Sequence, residues 1–130
     1  MVKTKRFKRA SGVIIPIFSI PSDYGIGTFG KEAFKLVDFL SNAGLSYWQI
    51  LPLGSTSYGD SPYQSFSSFA GNPYFIDLDL LSEDKILDKK DYENLDFGDN
   101  PKKVDYSLVY NLRFRVYIWQ LKKINLMFHG

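Results

Sequence analysis

The chain has 130 residues, enough for one domain, and 45% of them are hydrophobic, so a buried core is within reach. A net charge of +2 gives no general case for nucleic acid, and the absence of cysteine excludes both a disulfide framework and a thiolate metal site. One histidine, His129, is too few for a His-based metal cluster or a Ser-His-Asp triad, so neither metal nor cofactor is expected.

Five basic residues (Lys3, Lys5, Arg6, Lys8 and Arg9) crowd the start of the chain. They read as a solvated terminus, with a phosphate-binding arm as the alternative. Basic residues followed by GVIIPIF superficially resemble a signal peptide. The apolar run is short, is broken by Pro16 and lacks a small-residue cleavage site, so that reading is set aside. No run approaches the length of a membrane span, and a cytoplasmic protein is the default expectation.

Val13 to Ile15 form a β-branched run ending at Pro16, which predicts a short buried strand. SIPSDYGIGTFG follows and is loop by its Pro21, Gly25, Gly27 and Gly30. It contains G-x-G-x-x-G, but SIPSD separates that spacing from the strand. The acid that a dinucleotide site needs about twenty residues on is also absent. A loop-to-helix turn is the expectation.

From Lys31 to Ala43 the apolar residues Ala33, Phe34, Val37, Leu40 and Ala43 recur at helical spacing, and Gly44 supplies the stop. Tyr47 to Leu51 then reads as a second strand closed by Pro52. Strand, loop, helix, strand is a βαβ unit, which implies a parallel sheet. Phe75 to Leu81, FIDLDLL, is the next apolar segment and the place where a further strand would come. Its alternating Asp77 and Asp79 suit solvent-facing positions better than a metal or acid/base pair. Residues 82–105 are polar, with helical turns predicted at Ser82 to Leu87, started by Ser82, and at Lys89 to Leu95. A last helix begins near Tyr106 or Ser107 and runs through Leu108, Leu112 and Val116. The fold class is α/β, and the chain reads as the first part of an α/β barrel or doubly wound fold. It is incomplete, since a full barrel takes about 250 residues.

In such folds the loops after the strands form the binding face. The segment from Gly54 to Pro73 follows the second strand and is long for a βα loop. Its aromatics, hydroxyls and amide suit a flat polar ligand. Phe66, Phe69, Tyr74 and Phe75 are expected to form a small core for the loop itself. For Tyr58, Asp60, Ser61, Tyr63 and Gln64 the pattern leaves binding and structure equally open.

The segments ASGVIIPIFSIPSDYGIGTFG, AGLSYWQILPLG and SYGDSPYQSFSSFAGNPYFIDLDLL closely resemble the amino-terminal part of the bacterial and plant 4-α-glucanotransferases, glycoside hydrolase family 77. The resemblance is densest from Arg9 to Leu81. The family-like region is taken as about 9–117, with an atypical tail at about 118–130. It implies a (β/α)8 TIM barrel and transfer of α-1,4-glucan segments between maltodextrins. Carried over by motif position, Tyr63 stacks under the sugar beside the cleaved bond and Ser61 hydrogen-bonds nearby. Tyr58 lies at the mouth of the cleft, Gln64 belongs to the same substrate-binding set, and Asp60 pins the loop. The family pattern LGPTGYGD is LGSTSYGD here, with Ser55 and Ser57 in place of Pro and Gly. A retaining mechanism needs a nucleophilic carboxylate and an acid/base carboxyl. The resemblance places these on later barrel strands, so no catalytic residue is expected in this chain, which is inactive alone on that reading. The alternative is a stand-alone maltodextrin-binding module. The expected partner is a maltodextrin or other α-1,4-glucan. Neither nucleic acid nor membrane is expected.

Overall fold

A computed structural model describes residues 9–56, 59–98, 100 and 102–129, with side chains described as far as residue 126. Lys3, Lys5, Arg6 and Lys8 of the basic terminus lie outside the described residues.

Two strands, β1 (Gly12–Ile14) and β2 (Tyr47–Gln49), pair in parallel with Val13 opposite Trp48. β1 thus begins one residue earlier than its β-branched run. Gly12 is what lets the strands close there, because a Cβ at that position would stand 2.5 Å from the Tyr47 carbonyl oxygen. The ladder ends after the Ile15 N–H donates to the Gln49 carbonyl, 3.1 Å. Pro16 and Pro52, neither of which can donate, stand just beyond. The Trp48 Nε1–H donates to the Ile15 carbonyl at 2.8 Å and adds a side-chain tie across the pair.

Between the strands runs α1 (Lys31–Asn42). Its end follows from Gly44, at φ 75°, which lets the Leu45 N–H reach the Leu40 carbonyl and the Gly44 N–H reach that of Ser41, each at 3.0 Å. The predicted stripe divides. Ala33 and Leu40 are buried, whereas Phe34 and Val37 are exposed.

The segment FIDLDLL is not a strand. Asp77 caps a short helix, α2 (Leu78–Glu83), by accepting the Leu80 N–H at 3.0 Å. A carboxylate three residues ahead of an apolar turn favours helix over ladder, and Leu78 is fully buried by the result. The predicted start at Ser82 therefore falls in the last turn of α2. Ser82 accepts the Lys85 N–H there, with Lys85 in a left-handed conformation at φ 60°. Lys89 to Leu95 forms only a 3₁₀ turn, Lys89–Asp91. The last helix, α3 (Tyr106–His129), starts as expected and is headed by Asp105, whose side chain accepts the Leu108 N–H at 3.1 Å.

Two apolar clusters hold these pieces together. One gathers Ile17, Ile20, Ile26, Ala33, Tyr74, Phe75 and Val109 beneath the sheet and α1. The other joins Leu78, Leu87, Tyr92, Phe97 and Val116 between α2 and α3. The alternating acids are half-buried and tied by hydrogen bonds to neighbouring segments rather than turned fully to solvent. Asp77 also accepts the Thr28 hydroxyl at 2.5 Å, and Asp79 accepts the hydroxyls of Tyr24 and Tyr92 at 2.9 and 2.8 Å. Among the described residues the sheet has two strands, and no group of acids or histidines is arranged to hold a metal ion. No helix among them is long and apolar enough to cross a membrane.

Candidate functional site: the loop after β2

The loop after β2 is closed at its root by backbone pairing. The Asn72 N–H donates to the Leu53 carbonyl at 2.8 Å, and antiparallel bridges join Gly54 to Gly71 and Thr56 to Ser65. Gly54 is required here, because a Cβ would come within 2.5 Å of the Ser65 hydroxyl. Serines supply the rest of the frame. Ser65 Oγ donates to the Ser67 carbonyl, and Ser67 Oγ accepts the N–H groups of Phe69 and Ala70. Small hydroxyls thus replace the regular ladder that an irregular backbone cannot form.

The tip carries the residues that the sequence singles out. Gly59 and Asp60 take successive left-handed conformations, φ 98° and 54°, a turn that glycine adopts freely and aspartate tolerates. Ser61 accepts the Gln64 N–H through its carbonyl, 3.1 Å, and the Tyr63 N–H through its hydroxyl, 3.4 Å. That turn lifts Tyr63 outward, leaving it 72% exposed, with Gln64 exposed beside it. Tyr58 lies outside the described residues.

Asp60 points the other way. It lines a narrow cleft under the loop together with Phe18, Pro52, Asn72, Phe75 and Tyr106. The cleft holds about 10 Å³, room for one water at most and none for a sugar ring. Burial raises the pKa of Tyr74 and of Tyr106, and the Asp60 charge adds to both shifts. The structure therefore gathers Ser61, Tyr63 and Gln64 on the outer turn and separates Asp60 from them.

The aromatics of the loop also part company. Tyr74 and Phe75 enter the core, as expected. Phe66 and Phe69 do not: they are 74% and 100% exposed, so neither ring packs into a core for the loop. Both sit among serines whose hydroxyls are spent on local backbone, which turns the rings outward. That local pattern, SFSSF, is the signal by which they could have been grouped with Tyr63. No basic residue occurs between Gln49 and Leu81, so this aromatic face suits an uncharged ligand. A second concavity, about 310 Å³, lies on α3 between Arg115, Trp119 and Lys122, and none of the sequence-predicted site residues line it.

Residues 15–124 match the model of the glycoside hydrolase 77 family, described as 4-alpha-glucanotransferase. The chain belongs to the 4-alpha-glucanotransferase family. Among its relatives, the 4-alpha-glucanotransferase of Clostridium butyricum is 63% identical over 100 residues, which cover 77% of this chain and 20% of that protein. The enzyme of that name from Thermus thermophilus is 50% identical over 103 residues, 78% of this chain and 19% of the other. The amylomaltase from Streptococcus agalactiae, solved in complex with acarbose, superposes with a TM-score of 0.85 at 52% identity, covering 88% of this chain and 23% of that one. The chain thus spans about a fifth of the length of the curated relatives it matches.

A 4-alpha-glucanotransferase working by retention needs two carboxyl groups about 5 Å apart across the scissile bond. Asp77 and Asp79, the pair noted in the sequence, are each engaged by hydroxyl or backbone donors inside the fold. They are structural.

Proposed function

We propose that this chain forms the amino-terminal, glucan-contacting part of a 4-alpha-glucanotransferase that moves α-1,4-glucan segments between maltodextrins. In this reading β1, α1 and β2 are the first βαβ unit of a (β/α)8 barrel. The loop after β2 lies at the carboxyl ends of the strands, where barrel enzymes bind substrate. Tyr63 offers its ring to the apolar face of a glucosyl unit, while Ser61 and Gln64 supply hydroxyl and amide groups for sugar hydroxyls. By motif position Tyr58 belongs to the same substrate-binding set, and Asp60 fixes the turn from beneath. The nucleophile and the acid/base come from carboxylates outside residues 1–130. A cytoplasmic location accords with this reading.

The observation that carries the proposal is the outward Tyr63 on a serine-framed loop without basic residues. Its support is the likeness to an amylomaltase solved with acarbose. Titration of the purified chain with maltotriose, followed by NMR shifts of the Ser61, Tyr63 and Gln64 amides, tests it. Saturable shifts centred on these amides are expected, and shifts confined to other elements would sink the assignment. Incubation with maltotriose alone is expected to yield neither glucose nor longer maltodextrins. The two buried clusters keep a second reading in play, a binding module without catalysis. The same titration combined with a cooperative melt of the monomer would favour it.

A further inference from the structure

Arg113 is fully buried, yet no carboxylate among the described residues forms an ion pair with it. Its Nη1 donates to the Ile76 carbonyl at 2.8 Å and to the Tyr117 hydroxyl at 3.2 Å. That hydroxyl in turn donates to the Pro73 carbonyl at 3.1 Å. Its Nε and Nη2 are buried without a partner among the described residues. A buried cation held only by one backbone carbonyl and one hydroxyl contributes little to stability compared with an apolar side chain of the same size. What the pair does secure is geometry: two side chains one turn apart on α3 grip two carbonyls three residues apart, at the carboxyl-side root of the loop. The opposite side of that root is pinned independently, by the Phe29 N–H donating to the Phe75 carbonyl at 3.0 Å.

We propose that Arg113 and Tyr117 are positioning residues that set the angle at which the loop after β2 presents Ser61, Tyr63 and Gln64 to a glucan chain. The proposal rests on the glucan-contacting reading of that loop. The path is short and covalent at its end. Residues 73–76 are held by α3, and Asn72 carries the constraint through its N–H bond to Leu53 and the bridge between Gly71 and Gly54. Tyr74 sits between the two gripped carbonyls and packs edge-on against Phe114 of the same helix, with ring centroids 6.1 Å apart, so the root cannot swivel about that grip.

Hydrogen exchange of the unliganded chain, compared with maltotriose titration, separates this role from general stability. Tyr117→Phe removes the link to Pro73 together with an acceptor for Arg113 Nη1, and Arg113→Met keeps the volume while removing the bonds to Ile76 and Tyr117. Both variants are expected to speed exchange of the Gln64 and Asn72 amides by at least about tenfold, since each removes two hydrogen bonds, while the α1 amides exchange as in the parent. Maltotriose affinity should fall by a similar factor. Equal acceleration in α1 and the loop, or unchanged exchange in the loop, would overturn the proposal, as would faster loop exchange with unaltered affinity. If the parent chain itself gives no maltotriose signal, the glucan reading of the loop fails, and with it the glucan-presenting part of this proposal. The exchange comparison then decides the clamp alone. Should Arg113→Met not fold, Tyr117→Phe carries the same comparison by itself.

Discussion

Tyr63 and Phe69 stand six residues apart in one loop and are both exposed, yet they lead to different expectations. Tyr63 lies in a turn fixed by Ser61, so its backbone is set before any ligand arrives. Replacing it with alanine should weaken maltotriose binding by about 1–3 kcal/mol, or roughly five- to 150-fold, whereas Tyr63→Phe keeps the ring and most of the affinity. Calorimetric titration of both variants checks this. Phe69 is fully exposed, outside the loop core in which the sequence had placed it. Phe69→Ala should therefore change stability by less than about 0.5 kcal/mol in urea unfolding. Tyr92 gives a pH dependence at the same scale. Burial and the Asp79 carboxylate push its hydroxyl up to about 12 from 10.0, and the hydroxyl of Tyr24 is raised by burial and Asp79 as well. The folded chain holds these protons more tightly than the unfolded chain. Stability is then full below pH 10 and falls as pH rises from 10 through 12. Thermal unfolding across that range should show a steeper decline for the parent than for Tyr92→Phe.

At the scale of elements, the decisive segment is residues 72–83. Asp77 ends one stretch and begins another: it caps α2, accepts the Thr28 hydroxyl and fills the space beside Gly30 at the start of α1. A negative charge at two helix starts is favourable to both. Asp77→Ala should cost at least the ordinary 0.5–2 kcal/mol of a lost cap, roughly, and urea unfolding measures it. A loss near zero would mean that α2 is held by Leu78 burial alone. α1 and its stop were readable because helical periodicity and a glycine after the last turn are local signals. α2 was not, because FIDLDLL alternates like a strand and its helical state depends on what Asp77 meets from residues 28–30. The 3₁₀ turn at Lys89–Asp91 is short for a related reason: Tyr92 must turn inward to reach Asp79.

At the scale of the whole molecule, the two parallel strands among the described residues leave a sheet with open edges, and Ile14, Phe34, Phe39 and Tyr47 are each more than half exposed. Unpaired strand edges beside exposed apolar side chains favour association. The purified chain is expected to self-associate in sedimentation velocity at micromolar concentration. A monomer with a cooperative melt would show that the two clusters suffice as a core. It would also strengthen the binding-module reading over that of an incomplete barrel.

The sequence by itself determined the βαβ unit, its parallel sense and the position of the long loop, since periodicity, Pro16, Gly44 and Pro52 are all read from near neighbours. The segment YGDSPYQSFSSFAGNPY also carried the family, because its order of residue types is specific without any fold in view. Tertiary structure alone decided where the side chains went. Phe66 and Phe69 face outward because Ser65 and Ser67 spend their hydroxyls on the loop backbone. Asp79 is held at the edge of the core because the hydroxyls of Tyr24 and Tyr92 converge on it. Arg113, one of many charged residues in a helical pattern, is buried only because the carbonyls of Pro73 and Ile76 turn toward the face it shares with Tyr117. Burial of a polar group depends on partners far away in the chain, and the local pattern of a sequence does not record them.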